Sequence, residues 1–261
     1  MLSGSELALA GLAAVAAGLI NALAGGGTLL SFPTLIAMGV PPVAANITNT
    51  VALCPGYLGG ALAQRADLRG QGRRLLILVP AAVLGGIAGG ILLLVVDAKI
   101  FTLLVPFMIL AAAVLLAVQD RVKAWISAHA TRAGDAGDHR QSGAARRTAI
   151  LPVGLAAVYG GYFGPGLSVI ILAVLGIFID DNLTRLNALK QCLSLAINVA
   201  AAVFFIFTGL VIWPLALVMA AGALIGGAAG GTIAGRIDPA RLRQAIVLVG
   251  IIVGIIFLVR S

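Results

Sequence analysis

The chain carries the stretch Leu84-Gly85-Gly86-Ile87-Ala88-Gly89-Gly90 and repeats it as Ile225-Gly226-Gly227-Ala228-Ala229-Gly230-Gly231, 141 positions later. Asp97 returns as Asp238 with the same shift. Both stretches lie inside long apolar segments, where rows of glycine allow helices to pack closely. The shared shift indicates an internal duplication, and many secondary transporters build their substrate path between two repeated halves. We therefore expect the function to lie where the two halves meet.

Composition places the chain in a membrane. Of its 261 residues, 61% are hydrophobic and only 10% are charged, and the mean hydropathy is +1.13. Soluble domains carry about 25% charged residues. Several apolar segments approach the roughly 20 residues that a spanning helix needs, whereas the alternating pattern of β-barrel strands is absent from the sequence. The sequence thus predicts an all-α integral membrane protein that contacts the lipid bilayer.

The apolar segments fall into two sets of five, which divide the chain into three parts. Residues 1–118 form the first membrane repeat and residues 149–261 the second, with a polar linker at 119–148. The predicted helices cover 7–24, 28–39, 42–63, 74–96 and 99–118 in the first repeat, and 149–162, 166–178, 183–208, 212–235 and 239–259 in the second. Both histidines, His129 and His139, stand in the linker, which we expect to be a solvated loop.

Positive charges predict the orientation of the loops. Arginines are concentrated at 65–74 and in the linker, which places both segments in the cytoplasm. The loop at 97–99 then lies outside, whereas its counterpart at 238–240 is flanked by arginines and is expected in the cytoplasm. This topology explains the net charge of +8 better than binding to nucleic acid does. The two halves are therefore predicted to be inverted relative to each other, with both termini outside.

Each half begins with a broken helix pair. Segments 149–162 and 166–178 are each about 20 Å long against a hydrocarbon core of roughly 30 Å, so they predict a re-entrant hairpin. They meet at Phe163-Gly164-Pro165-Gly166, and Gly25-Gly26-Gly27 is the related break in the first half. The segment before that glycine run nearly spans, so crossing and re-entrance both stay open there. Breaks at matching places in two repeats are typical of transporter binding sites.

A long helix with a polar stripe follows each break. In the second half the stripe repeats at helical spacing and comprises Asn187, Lys190, Gln191, Ser194 and Asn198. Its counterpart in the first half comprises Asn46, Asn49, Thr50 and Tyr57. Polar residues inside a bilayer usually face a bundle interior or a wet cavity, which favours a substrate path. Hydrogen bonding between helices is the alternative.

Lys190 is the one basic residue placed deep in a predicted span. It lies eight residues after Asn182, which is about 12 Å along a helix. Its ammonium group either lines a cavity or extends to the cytoplasmic interface. Arg185 is closer to the loop and is expected to be an interfacial anchor, with Asp180 and Asp181 as solvated neighbours.

The breaks provide a second feature suited to anions. Short helices beginning at Thr28 and Gly166 would direct unpaired N–H groups and positive dipole ends into the bundle, and nearby hydroxyls would add donors. Glycine packing at a helix break is the alternative. The candidate substrate-binding residues are therefore Gly26, Gly27, Thr28, Ser31, Asn46, Asn49, Thr50, Tyr57, Gly164, Gly166, Ser168, Asn187, Lys190, Gln191 and Asn198.

Residue types missing from the spans narrow the chemistry. Every Asp and Glu stands at a helix end or in a loop, which disfavours a carboxylate proton relay or metal site. The sequence has no HExxH motif and no Ser/His pair at membrane depth. We therefore predict neither an enzyme nor a bound metal or cofactor.

Several motifs together resemble the sulfite exporter TauE/SafE family. They cover nearly the whole chain outside the linker: 18–28 (GLINALAGGGT), Pro33, 38–42 (MGVPP), 45–50 (ANITNT), 164–166 (GPG), 187–190 (NALK) and Asn198. The chain has Thr48-Asn49-Thr50 where many members resemble Gly-Thr-Ser. The resemblance implies export of small sulfur oxyanions, such as sulfite or short organosulfonates, across a bacterial inner membrane. The termini, which the loop charges place outside, would then be periplasmic.

These observations combine into one functional prediction. We expect a secondary transporter that exports a small sulfur oxyanion such as sulfite or sulfoacetate through a site between the halves. A membrane potential that is negative inside favours outward movement of a monoanion by about 2.3 kcal/mol per 100 mV. An anion channel and a non-transporting membrane subunit or scaffold are the alternatives. The sequence leaves open whether the protein is a homodimer.

Overall fold

The computed structural model describes residues 3–23, 25–135, 148–233 and 239–260. These residues form ten α-helices and one short 3-10 helix at Arg65–Leu68. The α-helices are α1 (Gly4–Leu23), α2 (Thr28–Ala37), α3 (Pro42–Ala63), α4 (Gly72–Val95), α5 (Ala98–Asp135), α6 (Ile150–Tyr162), α7 (Leu167–Phe178), α8 (Leu183–Ile206), α9 (Trp213–Ile233) and α10 (Pro239–Arg260). The predicted helical bundle is confirmed within this described part of the chain.

Six helices among the described residues are long and apolar enough to cross a membrane. The spanning segments are Gly4–Ala22, Gly72–Val95, Ala98–Ala128, Leu183–Ile206, Trp213–Gly230 and Ala240–Val259. Helices α2, α6 and α7 are only 10 to 13 residues long, as expected for broken helix pairs. Large apolar side chains such as Leu76 and Leu151 are at least 70% exposed, which suits an outer surface in contact with lipid. The chain is a multi-pass membrane protein.

The predicted linker is wrong over its first 17 residues. Helix α5 continues without interruption to Asp135, so residues 119–135 are helical and His129 lies in a helix rather than in a solvated loop. The apolar pattern stops at residue 118, but the helix continues because the polar stretch contains good helix formers and no glycine before Gly134. The rest of the linker at 136–147, including His139, and residues 234–238 with Asp238 lie outside the described residues.

The repeated glycine stretches form two close helix seams. A Cβ atom at Gly89 of α4 would lie 2.1 Å from the carbonyl oxygen of Val158 in α6. A Cβ atom at Gly226 of α9 would lie 1.9 Å from the carbonyl oxygen of Val15 in α1. Because no side chain fits at these distances, glycine allows the backbones to touch. The expected role of both stretches in helix packing is confirmed.

Helix contacts follow the same pattern when the two halves are exchanged. Helix α1 packs on α9 as α6 packs on α4, and α3 packs on α9 as α8 packs on α4. The corresponding helices α3 and α8 also contact each other, and so do α5 and α10. Just after the end of α3, Gln64 is hydrogen-bonded to Asn187 near the start of α8. Near the start of α3, Thr48 is hydrogen-bonded to Ile212, which lies beyond the end of α8. Helices α3 and α8 therefore run antiparallel.

Candidate functional site

A polar cavity of about 320 Å³ lies at the end of the bundle where α3 ends and α8 begins. Five parts of the chain enclose it: the end of α1 with the following glycine run, the end of α3, the 3-10 helix, α5 and the first two turns of α8. Its lining residues are Asn21, Ala22, Gly25, Gln64, Asp67, Gln119, Lys123, Leu183, Thr184, Asn187, Lys190 and Gln191. This volume is at the lower end of the usual range for ligand pockets and suits a small solute.

Lys190 is the buried cation of this cavity. Its residue is only 6% exposed, and within the described part of the chain its ammonium group makes no hydrogen bond or ion pair. Lys123 of α5 also lines the cavity, so two lysine side chains border the same space. An unpaired buried cation is costly, so a negatively charged solute in the cavity would stabilise this arrangement. Lining a cavity is one of the two placements that the sequence analysis considered for Lys190.

Amide side chains form much of the remaining polar wall. Asn187 donates from Nδ2 to Oε1 of Gln64 at 2.8 Å. Gln119 is 2% exposed, and its Oε1 has no hydrogen-bond partner. Gln191 is 7% exposed and places its Nε2 only 2.9 Å from where a Cβ atom of Gly60 would be. The wall therefore offers both N–H donors and carbonyl acceptors beside the two lysines.

The two helix breaks meet in the structure. Gly25 (φ 75°) lies beside Ser168, since a Cβ atom at Gly25 would be 3.6 Å from Cβ of Ser168. Gly26, Gly164 and Gly166 also have φ between 81° and 91°, a left-handed conformation that disfavours residues with a Cβ atom. The sharp reversals of both hairpins therefore depend on glycine.

The predicted unpaired N–H groups at the breaks are largely satisfied within the chain. Gly27 N–H donates to Oδ1 of Asn21 at 2.8 Å, and Leu29 N–H donates to the Gly26 carbonyl at 2.9 Å. In the second break, Leu167 N–H donates to the Gly164 carbonyl at 3.0 Å. These three N–H groups are therefore paired within the chain, whereas the sequence analysis expected them to be free. The tight turns supply acceptors that the sequence pattern did not reveal.

The predicted site residues separate into two groups. Asn187, Lys190 and Gln191 line the cavity, and Gly26 to Thr28 directly follow Gly25 at its wall. The predicted site residues outside the cavity lining are Gly26, Gly27, Thr28, Ser31, Asn46, Asn49, Thr50, Tyr57, Gly164, Gly166, Ser168 and Asn198. Among these, Tyr57 interacts with the side chains of Thr28 and Asn21, and Asn198 donates to the Ser194 carbonyl.

The sequence analysis missed six polar lining residues, which are Asn21, Gln64, Asp67, Gln119, Lys123 and Thr184. Gln64 stands 18 residues after Asn46, which is five helical turns, so extending the α3 stripe would have found it. Asn21 stands in the motif before the first glycine run. Gln119 and Lys123 were assigned to the linker because α5 was ended too early. Gln119 and Lys123 could be identified only from the observed length of α5.

An ionic cluster joins α4 to α8 beside the cavity. Asp181 accepts hydrogen bonds from Nη1 of Arg74 and, at 3.0 Å, from Nε of Arg185. Burial by itself would raise the pKa of the Asp181 carboxyl, but the hydrogen bonds from Arg74 and Arg185 outweigh it and hold the pKa below its ordinary value. Gln71 is fully buried and donates to the carbonyls of Asp67 and Arg185. The prediction that Asp181 is only a solvated neighbour of Arg185 is wrong.

Fold and site together define a helical membrane protein with a polar cavity in its helix bundle. The chain belongs to the sulfite exporter TauE/SafE family, whose sequence model matches residues 10–257. The predicted family membership is confirmed, and the chain is a membrane transporter of this family.

Curated relatives carry names that agree with this class. A probable membrane transporter protein of Haemophilus influenzae is 27% identical over 210 residues, covering 80% of this chain and 78% of that protein. Probable membrane transporter protein ORF9 of a Sinorhizobium species is 26% identical, covering 95% of this chain and 91% of its own. Probable membrane transporter protein YfcA of Escherichia coli is 24% identical, with coverages of 90% and 83%. No solved structure gives a significant match.

Proposed function

We propose that this transporter exports a small sulfur oxyanion, sulfite or a short organosulfonate such as sulfoacetate, across the bacterial inner membrane. The observation that carries the proposal is Lys190, a buried ammonium group without a partner among the described residues, in the wall of a cavity of about 320 Å³. An anion in that cavity would receive charge-assisted hydrogen bonds, which are about twice as strong as neutral ones.

The other lining residues support an oxyanion over a cation or an apolar solute. Lys123 and Lys190 outnumber the single lining carboxylate, Asp67. Amide N–H groups of Asn187 and Gln191 can donate to further oxygens of a tetrahedral or pyramidal anion. A site that combines cationic and amide donors binds the oxygens of such an anion from several directions, whereas a cation would meet two like charges.

Topology supports export from the cytoplasm. The cavity lies beside the arginine-rich segment 65–74, the side that the positive-inside rule places in the cytoplasm. The antiparallel course of α3 and α8 supports inverted halves, which would place corresponding residues at opposite faces of the membrane. The state described here is then the one that loads substrate from the cytoplasm.

Counterflow in liposomes tests this proposal. Purified protein is assayed with labelled sulfite and sulfoacetate, with taurine and sulfate as competing solutes. We expect exchange of at least one sulfur oxyanion by the parent protein and its loss in Lys190→Ala. The matched control is Lys99→Ala, because Lys99 is an exposed lysine at the opposite end of α5.

Each alternative predicts a different result in the same assay. No flux of any of these solutes in the folded parent protein would support a non-transporting subunit, and flux far above carrier turnover would support a channel. Transport by Lys190→Ala at the parent rate would show that the cavity lysine does not bind the substrate.

A further inference from the structure

Three buried amide atoms on α3 have no hydrogen-bond partner. They are Oδ1 of Asn46 and both polar atoms of the Asn49 side chain. Both residues are only 1% exposed, and the one paired amide group, Nδ2 of Asn46, donates to the Tyr162 carbonyl at 2.9 Å. Buried polar groups in folded proteins are almost always paired, so this cluster calls for a function.

The duplication relates this cluster to the cavity wall. The 141-residue shift that relates the two glycine stretches matches Asn46 with Asn187 and Asn49 with Lys190. It also matches Thr50 with Gln191, so all three predicted site residues that line the cavity on α8 have polar counterparts on α3. Because α3 and α8 run antiparallel, the two sets lie toward opposite ends of the bundle.

We infer that Asn46, Asn49 and Thr50 form a second anion site, from which the substrate is released on the external side. This inference rests on the proposed function, since it assigns the second half of the same transport path. The α3 site would open when the α8 cavity closes, and its unpaired amide atoms would then bind the passing anion.

Aromatic side chains keep the α3 site closed in this state. The carbonyl that Asn46 contacts belongs to Tyr162, whose ring packs edge-on against Phe101 at a centroid distance of 5.6 Å. The next residue, Phe163, packs against Phe32 at 5.4 Å and against Phe101 at 6.3 Å. The 141-residue shift also matches Gln64 with Phe205. The amide that pairs with Asn187 in the α8 cavity therefore corresponds to an apolar ring at the α3 site. Opening this site requires these rings to separate.

The difference between Lys190 and Asn49 gives the two sites different strengths. An ammonium group binds an oxyanion more strongly than a neutral amide does. The α8 site would therefore load at low cytoplasmic concentrations, and the α3 site would hold the anion weakly enough to release it. The positive charge at Lys190 and its absence at the matched position, Asn49, would thus set the affinity at each face.

Transport from each face tests the second site. Right-side-out membrane vesicles expose the external face and inside-out vesicles the cytoplasmic face, with labelled sulfite and sulfoacetate as probes. Asn49→Lys should lower the external half-saturation concentration by about tenfold and leave the cytoplasmic one unchanged. Asn49→Asp, of nearly the same shape but opposite charge, should raise the external value. The double variant Asn49→Lys/Lys190→Asn should reverse which face has the higher affinity.

Cysteine labelling gives a second readout that needs no substrate and no buried lysine. In a Cys54→Ala/Cys192→Ala background, Asn49→Cys should react with an impermeant maleimide from the external face only. Ile47→Cys is the matched control, because Ile47 is fully buried on another side of α3 and should stay unreactive. The inference is overturned if Asn49→Cys is unreactive from outside, or if Asn49 variants leave the external half-saturation unchanged while Lys190→Ala abolishes transport. Unimpaired transport by Lys190→Ala would instead reject the proposed function.

Discussion

The two ends of the helix bundle come from corresponding parts of a duplicated sequence, yet one end is open and polar and the other is closed and aromatic. At the open end, Lys190 and Asn187 line a cavity. At the closed end, their counterparts Asn49 and Asn46 are 1% exposed, beside the aromatic cluster around Phe163. Segments that the 141-residue shift relates therefore pack alike, while a few of their side chains lie in different surroundings at the two ends.

The glycine seams show what the two ends share. A Cβ atom at Gly85 would lie 2.5 Å from the Gly154 carbonyl, and one at its counterpart Gly226 would lie 1.9 Å from the Val15 carbonyl. Both seams therefore exclude side chains in the same way and join one half to the other. Because the seams are alike, the contrast between the ends comes from residues on α3, α5, α8 and the breaks.

The aromatic cluster at the closed end gives the largest predicted change. Phe163→Ala should lower the free energy of unfolding by about 3 kcal/mol, because Phe163 is 1% exposed and packs against Phe32 and Phe101. Thermal or denaturant unfolding in detergent measures the loss. Phe207→Ala is the matched control, since Phe207 is 84% exposed and should change stability little. Equal effects of the two variants would mean that the cluster does not hold this end closed.

The lysine at the open end gives the next largest change. Lys190→Ala should weaken binding of sulfite or sulfoacetate to purified protein by about 10- to 100-fold, since hydrogen bonds to a charged group contribute about 1.5–3 kcal/mol. Lys190→Arg should retain part of the affinity, because the charge stays while the geometry changes. Calorimetric titration measures both. If Lys190→Arg binds no better than Lys190→Ala, charge is not what distinguishes the open end.

The sequence predicted the fold better than it predicted the site. Apolar periodicity and glycine breaks gave α3 and both broken pairs within a few residues, because spanning length and helix reversal leave direct marks in the sequence. The stripe on α8 indicated Lys190, Asn187 and Gln191, and all three line the cavity. The limits of α5 were missed because a helix that leaves the bilayer loses its apolar pattern while keeping its hydrogen bonds.

Two further features depended on tertiary contacts that no local pattern encodes. Asn21 binds the N–H of Gly27 and thereby removes a donor that seemed free for an anion from the sequence alone. Asp181 reaches Arg74, which lies 107 positions earlier in the chain. The closure of the α3 stripe likewise follows from rings on other helices rather than from the stripe itself.

The ionic cluster near the open end predicts a pH effect. Asp181→Asn should lower the free energy of unfolding by about 2 kcal/mol at neutral pH, because Arg74 and Arg185 lose a charged acceptor. Since the pKa of Asp181 is lowered in the folded protein, this stability is fully present above the ordinary pKa of 3.8 and is lost as pH falls through the lower folded pKa. Unfolding of parent and variant between pH 3 and pH 7 measures it. Asp180→Asn serves as the control, since Asp180 is the exposed neighbour. If the difference in stability between the parent and Asp181→Asn does not shrink in acid, the ion pairs of Asp181 do not stabilise the fold as proposed.

The smallest predicted change concerns a neutral amide at the open end. Asn187→Ala should weaken anion binding by about 1 kcal/mol, or roughly fivefold, because a neutral donor contributes less than the Lys190 ammonium. Its partner Gln64 can then turn toward the cavity, so folding should be nearly unchanged. Gln244→Ala is the control, since that amide is exposed on α10 and is not one of the residues that line the cavity. The ranking separates two pictures of the open end. If Asn187→Ala abolishes binding while Lys190→Ala binds like the parent protein, the amides hold the anion alone, and the contrast between Lys190 and Asn49 no longer explains why the two ends differ.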